Sequence, residues 1–147
     1  MSALTFTLKQ RLDQRVDMSP LVCQKLADLE PTEIAALTLQ NGKRKIRVDE
    51  IFSITGADAQ NIVIKNSFGK LDFIGKELDG GRITVEGDAG AYLGLGMKSG
   101  EIDVSGDVGL YAACEMKKGK LIINGNAGDF LGAALPGNKM EIGRAHV

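Results

Sequence analysis

The sequence predicts a mainly β protein: a right-handed parallel β-helix of nineteen-residue coils behind a small mixed α/β N-terminal cap. Three observations predict it: a local concentration of glycine, a repeat of fixed length, and a period-two apolar pattern inside each repeat. The chain holds 19 glycines and no tryptophan in 147 residues. Fourteen of those glycines fall between Gly80 and Gly137. A flexible linker would be polar throughout, whereas this stretch carries regular Ile, Val and Leu. The glycines therefore serve an ordered backbone that needs positive φ or close approach.

Sliding the chain against itself gives the repeat. Gly81-Arg82-Ile83-Thr84-Val85-Glu86-Gly87 matches Gly100-Glu101-Ile102-Asp103-Val104-Ser105-Gly106, and that matches Gly119-Lys120-Leu121-Ile122-Ile123-Asn124-Gly125, each at a shift of nineteen. Three further series keep the register: Gly90, Gly109 and Gly128; Leu78, Met97, Met116 and Leu135; and Gly75, Gly94, Ala113 and Gly132. A weaker first copy runs through Ile62-Val63-Ile64 with Gly69 behind it, displaced by two extra residues. Ile83 and Val85 alternate with Arg82, Thr84 and Glu86, the period of a half-buried strand. A short strand, a glycine corner, a second short segment and another corner make one turn of a solenoid. Stacked coils lie ~4.8 Å apart, so equivalent residues form ladders. Ile83, Ile102 and Leu121 form one inward ladder, Val85, Val104 and Ile123 a second, and the Leu78–Met97–Met116–Leu135 series a third.

Residues 1–60 read differently. Leu4, Phe6 and Leu8 alternate with Thr5 and Thr7, predicting an opening strand. Ser19-Pro20 carries an N-cap and first-position proline, predicting a helix through Leu21, Val22, Leu26 and Leu29. Glu30-Pro31-Thr32-Glu33 opens a second short helix through Ile34 and Ala35, and Asn41-Gly42 signals a turn. Arg44 to Val48 and Ile51 to Ile54 read as strands, the second closing at Gly56. A solenoid needs its open end covered, so the division expected is an α/β cap over 1–60, β-helix coils over 61–140, and a tail over 141–147.

Composition excludes several function classes. Lys plus Arg number 18 against 19 Asp plus Glu, a net charge of −1, so the field that gathers nucleic acid is missing. No apolar run approaches the ~18 residues of a membrane-spanning helix, and no secretory signal pattern opens the chain. A protein bound to neither nucleic acid nor membrane is expected. Cys23 and Cys114 are too far apart for a metal knuckle, and the only histidine is His146. No catalytic residue and no metal ligand are predicted.

The G-x-I-x-V-x-G-[DN]-x-G repeats, with the Met-Lys-Ser-Gly and Met-Lys-Lys-Gly links at Met97 and Met116, resemble the GXGXG β-helix in the C subunit of formylmethanofuran dehydrogenase. They are also similar to the matching component of the bacterial formyltransferase/hydrolase complex. Ser2-Ala3-Leu4-Thr5-Phe6-Thr7-Leu8 and Glu33-Ile34-Ala35-Ala36-Leu37 resemble the same component, so the likeness extends to about Met140. The C-terminal β-helix of glutamate synthase large subunits shares the repeat and supplies the alternative reading. A free-standing solenoid binding module is the third. The resemblance implies a structural, non-catalytic component of a cytoplasmic complex in one-carbon metabolism, with the other subunits of that complex as partners. It implies that no cofactor is held by this chain. The methanofuran-type carrier and, in the redox form, a molybdenum or tungsten pterin belong to the other subunits. The family continues for further coils, and Glu141-Ile142-Gly143-Arg144-Ala145-His146-Val147 resembles a translated sequencing adapter. The expectation is a truncated chain with a foreign tail.

Two stacked sets of side chains remain as candidate sites. Asp88, Asp107 and Asn126 recur at nineteen-residue spacing, as metal ligands might be arranged in a ladder, but Asp and Asn after a corner glycine more often accept local backbone hydrogen bonds. Lys98 and Lys117 stack, with Lys118, Lys120 and Lys139 nearby. This face reads either as a docking surface for the family's acidic carrier, formed by Lys98, Lys117, Lys118 and Lys120, or as a solvated edge that discourages strand pairing. Cys114 shares its position with Leu95 and Ala133, so it and Cys23 read as small buried hydrophobes. Gly94-Leu95-Gly96 lacks the third glycine and the βαβ setting of a nucleotide loop.

Overall fold

The computed structural model describes residues 2–129 and the backbone of residues 141–143. The chain is mainly β, with mixed sheets and few helices. It opens with β1 (Ala3–Leu8), β2 (Val16–Asp17), α1 (Cys23–Leu26), α2 (Pro31–Ala36), β3 (Thr38–Asn41), β4 (Arg44–Arg47), α3 (Val48–Ile51) and β5 (Phe52–Thr55). It continues through β6 (Asp58–Ser67), β7 (Leu71–Asp72), β8 (Asp79–Gly87), β9 (Ser99–Val104), β10 (Lys120–Ile123) and β11 (Glu141–Gly143). Among the described residues these form one sheet ordered β11-β10-β9-β8-β6-β1-β5 and another ordered β4-β3-β2-β7.

The repeat sets the first sheet. β8, β9 and β10 pair in parallel at a shift of nineteen, with Ile83 opposite Ile102 and Ile102 opposite Leu121. Val85, Val104 and Ile123 align likewise, and all six side chains are fully buried. β6 joins with Ile62 opposite Ile83 and Ile64 opposite Val85. The opening strand belongs to the same ladders: Leu4 lies opposite Ile62, and Phe6 opposite Ile64. Its predicted alternation holds, with Leu4, Phe6 and Leu8 buried. β5 then closes this edge antiparallel to β1, and the Phe6 and Phe52 rings meet edge to face at 6.0 Å. Leu78, Met97 and Met116 form the third buried series.

The last strand departs from the nineteen-residue spacing. Counting by nineteen from Ile123 reaches Ile142, but β11 places Ile142 opposite Leu121. The shift has become 21, as it is between Ile62 and Ile83. A slip of two preserves the period of a strand, so Ile62 and Ile64 of β6 keep to the buried face. Gly132, Ala133, Leu135, Lys139, Met140 and the tail from Arg144 to Val147 lie outside the described residues.

The N-terminal elements differ from expectation at three places. Ser19-Pro20 is a turn rather than a helix start: Asp17 Oδ1 accepts the Ser19 N–H at 2.9 Å, and the Leu21 N–H returns to the Met18 carbonyl. Only a single helical turn, α1, follows, beginning at Cys23. The predicted strand from Arg44 to Val48 ends at Arg47, because Val48–Ile51 is helical. Glu50 accepts the Arg47 N–H at 3.2 Å, which starts that turn and moves the next strand to Phe52–Thr55. β3 was not foreseen. It pairs with β4 across Gly42 and Lys43, with Gly42 at φ +61, as the turn signal at Asn41-Gly42 requires. The second short helix forms as predicted, and Glu33 accepts the Glu30 N–H at 2.9 Å.

Two kinds of corner separate the strands. Gly87 has φ +122, a conformation only glycine adopts at low cost. Gly106 is not among the positive-φ residues; a Cβ there would overlap the Asp88 carboxylate and the Gly87 carbonyl of the preceding repeat. Close approach, not φ, is its constraint. Between Phe73 and Leu78 every second residue is left-handed: Phe73 at φ +60, Gly75 at +73 and Glu77 at +57. Tyr92, Gly94 and Gly96 copy this, as do Tyr111, Ala113 and Glu115. The alternation turns successive peptide groups in opposite directions. Glu77 N–H reaches the Leu95 carbonyl at 2.7 Å, while Gly94 N–H returns to Ile74 at 2.8 Å.

Candidate functional site

Lys98 and Lys117 line one depression of about 560 Å3 with Lys76, Glu77, Leu95, Gly96 and Glu115. Each lysine follows a buried methionine of the third series. The Lys98 N–H bonds to the Leu78 carbonyl and the Lys117 N–H to the Met97 carbonyl, both at 2.8 Å. The repeat therefore anchors the two backbones in register, with both side chains exposed. Lys118 and Lys120 do not line this depression. Lys120 starts β10 opposite Glu101. Of the four lysines singled out by sequence, the structure brings two together and interleaves them with Glu77 and Glu115. Mixed signs weaken the attraction for an acidic ligand.

The Asp88–Asp107–Asn126 series has its acceptors committed to backbone. Asp88 Oδ1 accepts the Asp107 N–H at 2.9 Å, and Asp107 Oδ1 accepts the Asn126 N–H at 2.8 Å. The partners lie one repeat away, so these bonds tie repeats together instead of closing local turns, as the sequence suggested. Asp72 does the same where the N-terminal part meets the repeats. Its Oδ1 accepts the Ala91 N–H at 2.8 Å, and its carboxylate takes Arg15 Nε at 2.7 Å and Nη2 at 2.9 Å. That pair raises the Arg15 pKa above its ordinary value, chiefly through the hydrogen bond.

The cysteines lie in different parts of the fold. Cys23 is buried beneath Gly81, its Sγ 3.7 Å from the Arg82 carbonyl, and burial pushes its thiol pKa up. Cys114 is half-buried rather than buried, as is Leu95 one repeat before it. Desolvation and then Glu115 raise its pKa too. Both thiols are held in the protonated, weakly nucleophilic form. Gly94-Leu95-Gly96 belongs to the left-handed segment, and its Leu95 and Gly96 line the lysine depression.

Sequence reasoning missed the aromatic stack. The rings of Phe73 and Tyr92 stack at 5.2 Å with 6° between planes, and those of Tyr92 and Tyr111 at 5.2 Å with 8°. Lys76 Nζ lies 5.4 Å from the Phe73 ring centre. The signal was present: the three aromatics are nineteen residues apart, in the register already found for the glycines. An apolar groove of about 450 Å3 was also unforeseen, lined by Leu4, Leu29, Ile34, Ile54, Ala57 and Ala59 among others. No described helix is long and apolar enough to cross a membrane.

Comparisons with known proteins find relatives over most of the chain. No family model matches it. It is 34% identical over 95 residues, 63% of this chain and 35% of the relative, to the C subunit of tungsten-containing formylmethanofuran dehydrogenase 2 from Methanococcus maripaludis. It is 34% identical over 89 residues, 60% of this chain and 34% of the relative, to the C subunit of the formyltransferase/hydrolase complex Fhc from Methylorubrum extorquens. Its fold matches a chain in the crystal structure of the formyltransferase/hydrolase complex FhcABCD of Methylorubrum extorquens in complex with methylofuran. The TM-score is 0.84 at 33% identity, covering 95% of this chain and 52% of that one. The chain thus spans about a third of the curated relatives and about half of the solved one.

Proposed function

We propose, from its homology to the C subunits of formylmethanofuran dehydrogenases and of the formyltransferase/hydrolase complex, that this chain is a structural, non-catalytic part of such a complex. Its repeats are coils of a right-handed parallel β-helix, and residues 1–60 cap the first of them. The chain holds its partner subunits in place while the formyl chemistry, the furan-type carrier and any molybdenum or tungsten pterin stay on those partners. The observation that carries this reading is the structural likeness over 95% of the chain to a protein solved within a larger enzyme complex. The side-chain chemistry supports it. Asp72, Asp88 and Asp107 accept backbone N–H groups, and burial holds the Cys23 and Cys114 thiols protonated. Groups engaged in this way are poorly disposed to move protons or attack a formyl carbon.

Co-expression of the tagged chain with the remaining subunits of a formyltransferase/hydrolase complex tests the reading. Co-elution on size exclusion is expected, with formyl transfer seen only when the partner subunits are present. Separate elution would overturn membership. Turnover by the isolated chain, lost on a point substitution within it, would overturn the non-catalytic role.

A further inference from the structure

Five arginines lie among the described residues, and three of them are in ion pairs: Arg15 with Asp72, Arg47 with Asp49, and Arg82 with Glu101 and Asp103. The other two, Arg11 and Arg44, have no ion pair among the described residues, and both line one depression of about 370 Å3. Gln10, Gln14 and Asn41 contribute neutral amides to its wall, and Asp13 is its single carboxylate. Two arginines therefore border one space with no side-chain hydrogen bond or ion pair to another described residue.

The space is held open by the fold. Asn41 Nδ2 donates to the Gln14 carbonyl at 3.1 Å, and the Gly42 N–H donates to the Arg15 carbonyl at 3.1 Å. These bonds pin the tip of the β3–β4 hairpin, which carries Arg44, against the segment that carries Arg11. The Arg11 guanidinium lies over the Phe68 ring, 5.6 Å from its centre. Stacking occupies the face of a guanidinium and leaves its in-plane N–H donors available to a carboxylate fork.

The groove extends past Arg11. Gln10 and Arg11 also border a second depression, of about 380 Å3, with Lys9, Asn66, Ser67 and Glu86. The Ser67 hydroxyl is buried there without a hydrogen-bond partner among the described residues. Beyond Arg44 the hairpin exposes Lys43 and Lys45. Lys9, Arg11 and Arg44 line the two depressions along this strip against Asp13 and Glu86, although the whole chain carries a net charge of −1. Of the three, only Lys9 is already hydrogen-bonded among the described residues, its Nζ donating to the Asp49 carbonyl at 2.9 Å.

We propose that the groove centred on Arg11 and Arg44 binds an acidic stretch of polypeptide from a protein partner, each guanidinium clamping one carboxylate. Charge complementarity selects an anion, and the length of the strip selects a chain over a single small ion. A nucleic acid is disfavoured because no described aromatic side chain lines either depression to stack on a base.

Fluorescence anisotropy of a labelled peptide of alternating Glu and Gly, titrated with the full chain, tests the proposal. Saturable binding that weakens with salt is expected. Arg11→Gln combined with Arg44→Gln should weaken it about tenfold or more, whereas Lys98→Gln combined with Lys117→Gln should leave it unchanged. Should the first pair fail to fold, Arg11→Lys with Arg44→Lys serves instead, and it too should weaken binding because lysine lacks the fork. The proposal is overturned by an absence of saturable binding, by equal loss in the Lys98/Lys117 pair, or by tighter binding of an oligouridylate of equal charge. None of these outcomes bears on co-elution with the complex, which does not use the peptide.

Discussion

Asp88 Oδ1 accepts the backbone N–H of Asp107 at 2.9 Å, one repeat further along the chain. The bond is possible only because Gly106, next to Asp107, has no side chain. A Cβ on Gly106 would occupy the place of the Asp88 carboxylate and the Gly87 carbonyl. The relationship recurs one repeat later, with Asp107 Oδ1 receiving Asn126 N–H beside Gly125. Glycine and aspartate therefore form one device, and each makes room for or completes the other.

Gly106→Ala should destabilise the protein by about 3 kcal/mol, since the added methyl meets backbone and a committed carboxylate rather than a yielding side chain. Ser105→Ala removes only the exposed hydroxyl that accepts the Gly87 N–H, at about 0.5 kcal/mol. Urea unfolding of the two variants checks the order. Equal midpoints would refute the close-approach account.

Asp72→Ala should cost about 2 kcal/mol, because it strands the Ala91 N–H and the Arg15 guanidinium together; the figure is reduced from that of a fully buried pair because Arg15 is half-exposed. Asp72→Asn should cost about half as much, as its amide oxygen can still accept from Ala91. Thermal melts of both variants provide the comparison.

Tyr92 lies between Phe73 and Tyr111 at φ +60. Tyr92→Phe keeps the stack and should be nearly neutral, while Tyr92→Ala should lose about 2 kcal/mol. Tyr92→Gly should be no less stable than Tyr92→Ala, since glycine relieves about 1 kcal/mol of left-handed strain. An alanine variant clearly more stable than the glycine variant would contradict the assigned backbone.

Burial raises the Cys23 thiol above its ordinary value of 9.0. The unfolded chain releases that proton first, so the stability contributed is complete below the unfolded value and is lost as pH rises through the folded one. Between pH 8 and 11 the wild type should lose more stability than Cys23→Ala, measured by urea unfolding at each pH. In the native state a thiol reagent should modify half-buried Cys114 well before Cys23.

The repeats were legible because their information is local and periodic. Ile83, Ile102 and Leu121 declare their face by alternation and their partners by a constant spacing, and burial follows from both. The stacked Lys98 and Lys117 were found by the same count, and the aromatic stack could have been. The acceptor role of Asp88 was also readable, but not that its donor lies a repeat away.

By itself the sequence determined the strand faces, the nineteen-residue register and the positions where a side chain would not fit. Only the tertiary structure decided that β1 enters the same ladders as the repeats, that Arg15 meets Asp72 across 57 residues, and that Arg11 and Arg44 converge on one groove. Periodic burial is written in neighbouring residues. The pairing of a segment with one distant in the chain depends on which surfaces the completed core brings together, and no local pattern encodes that.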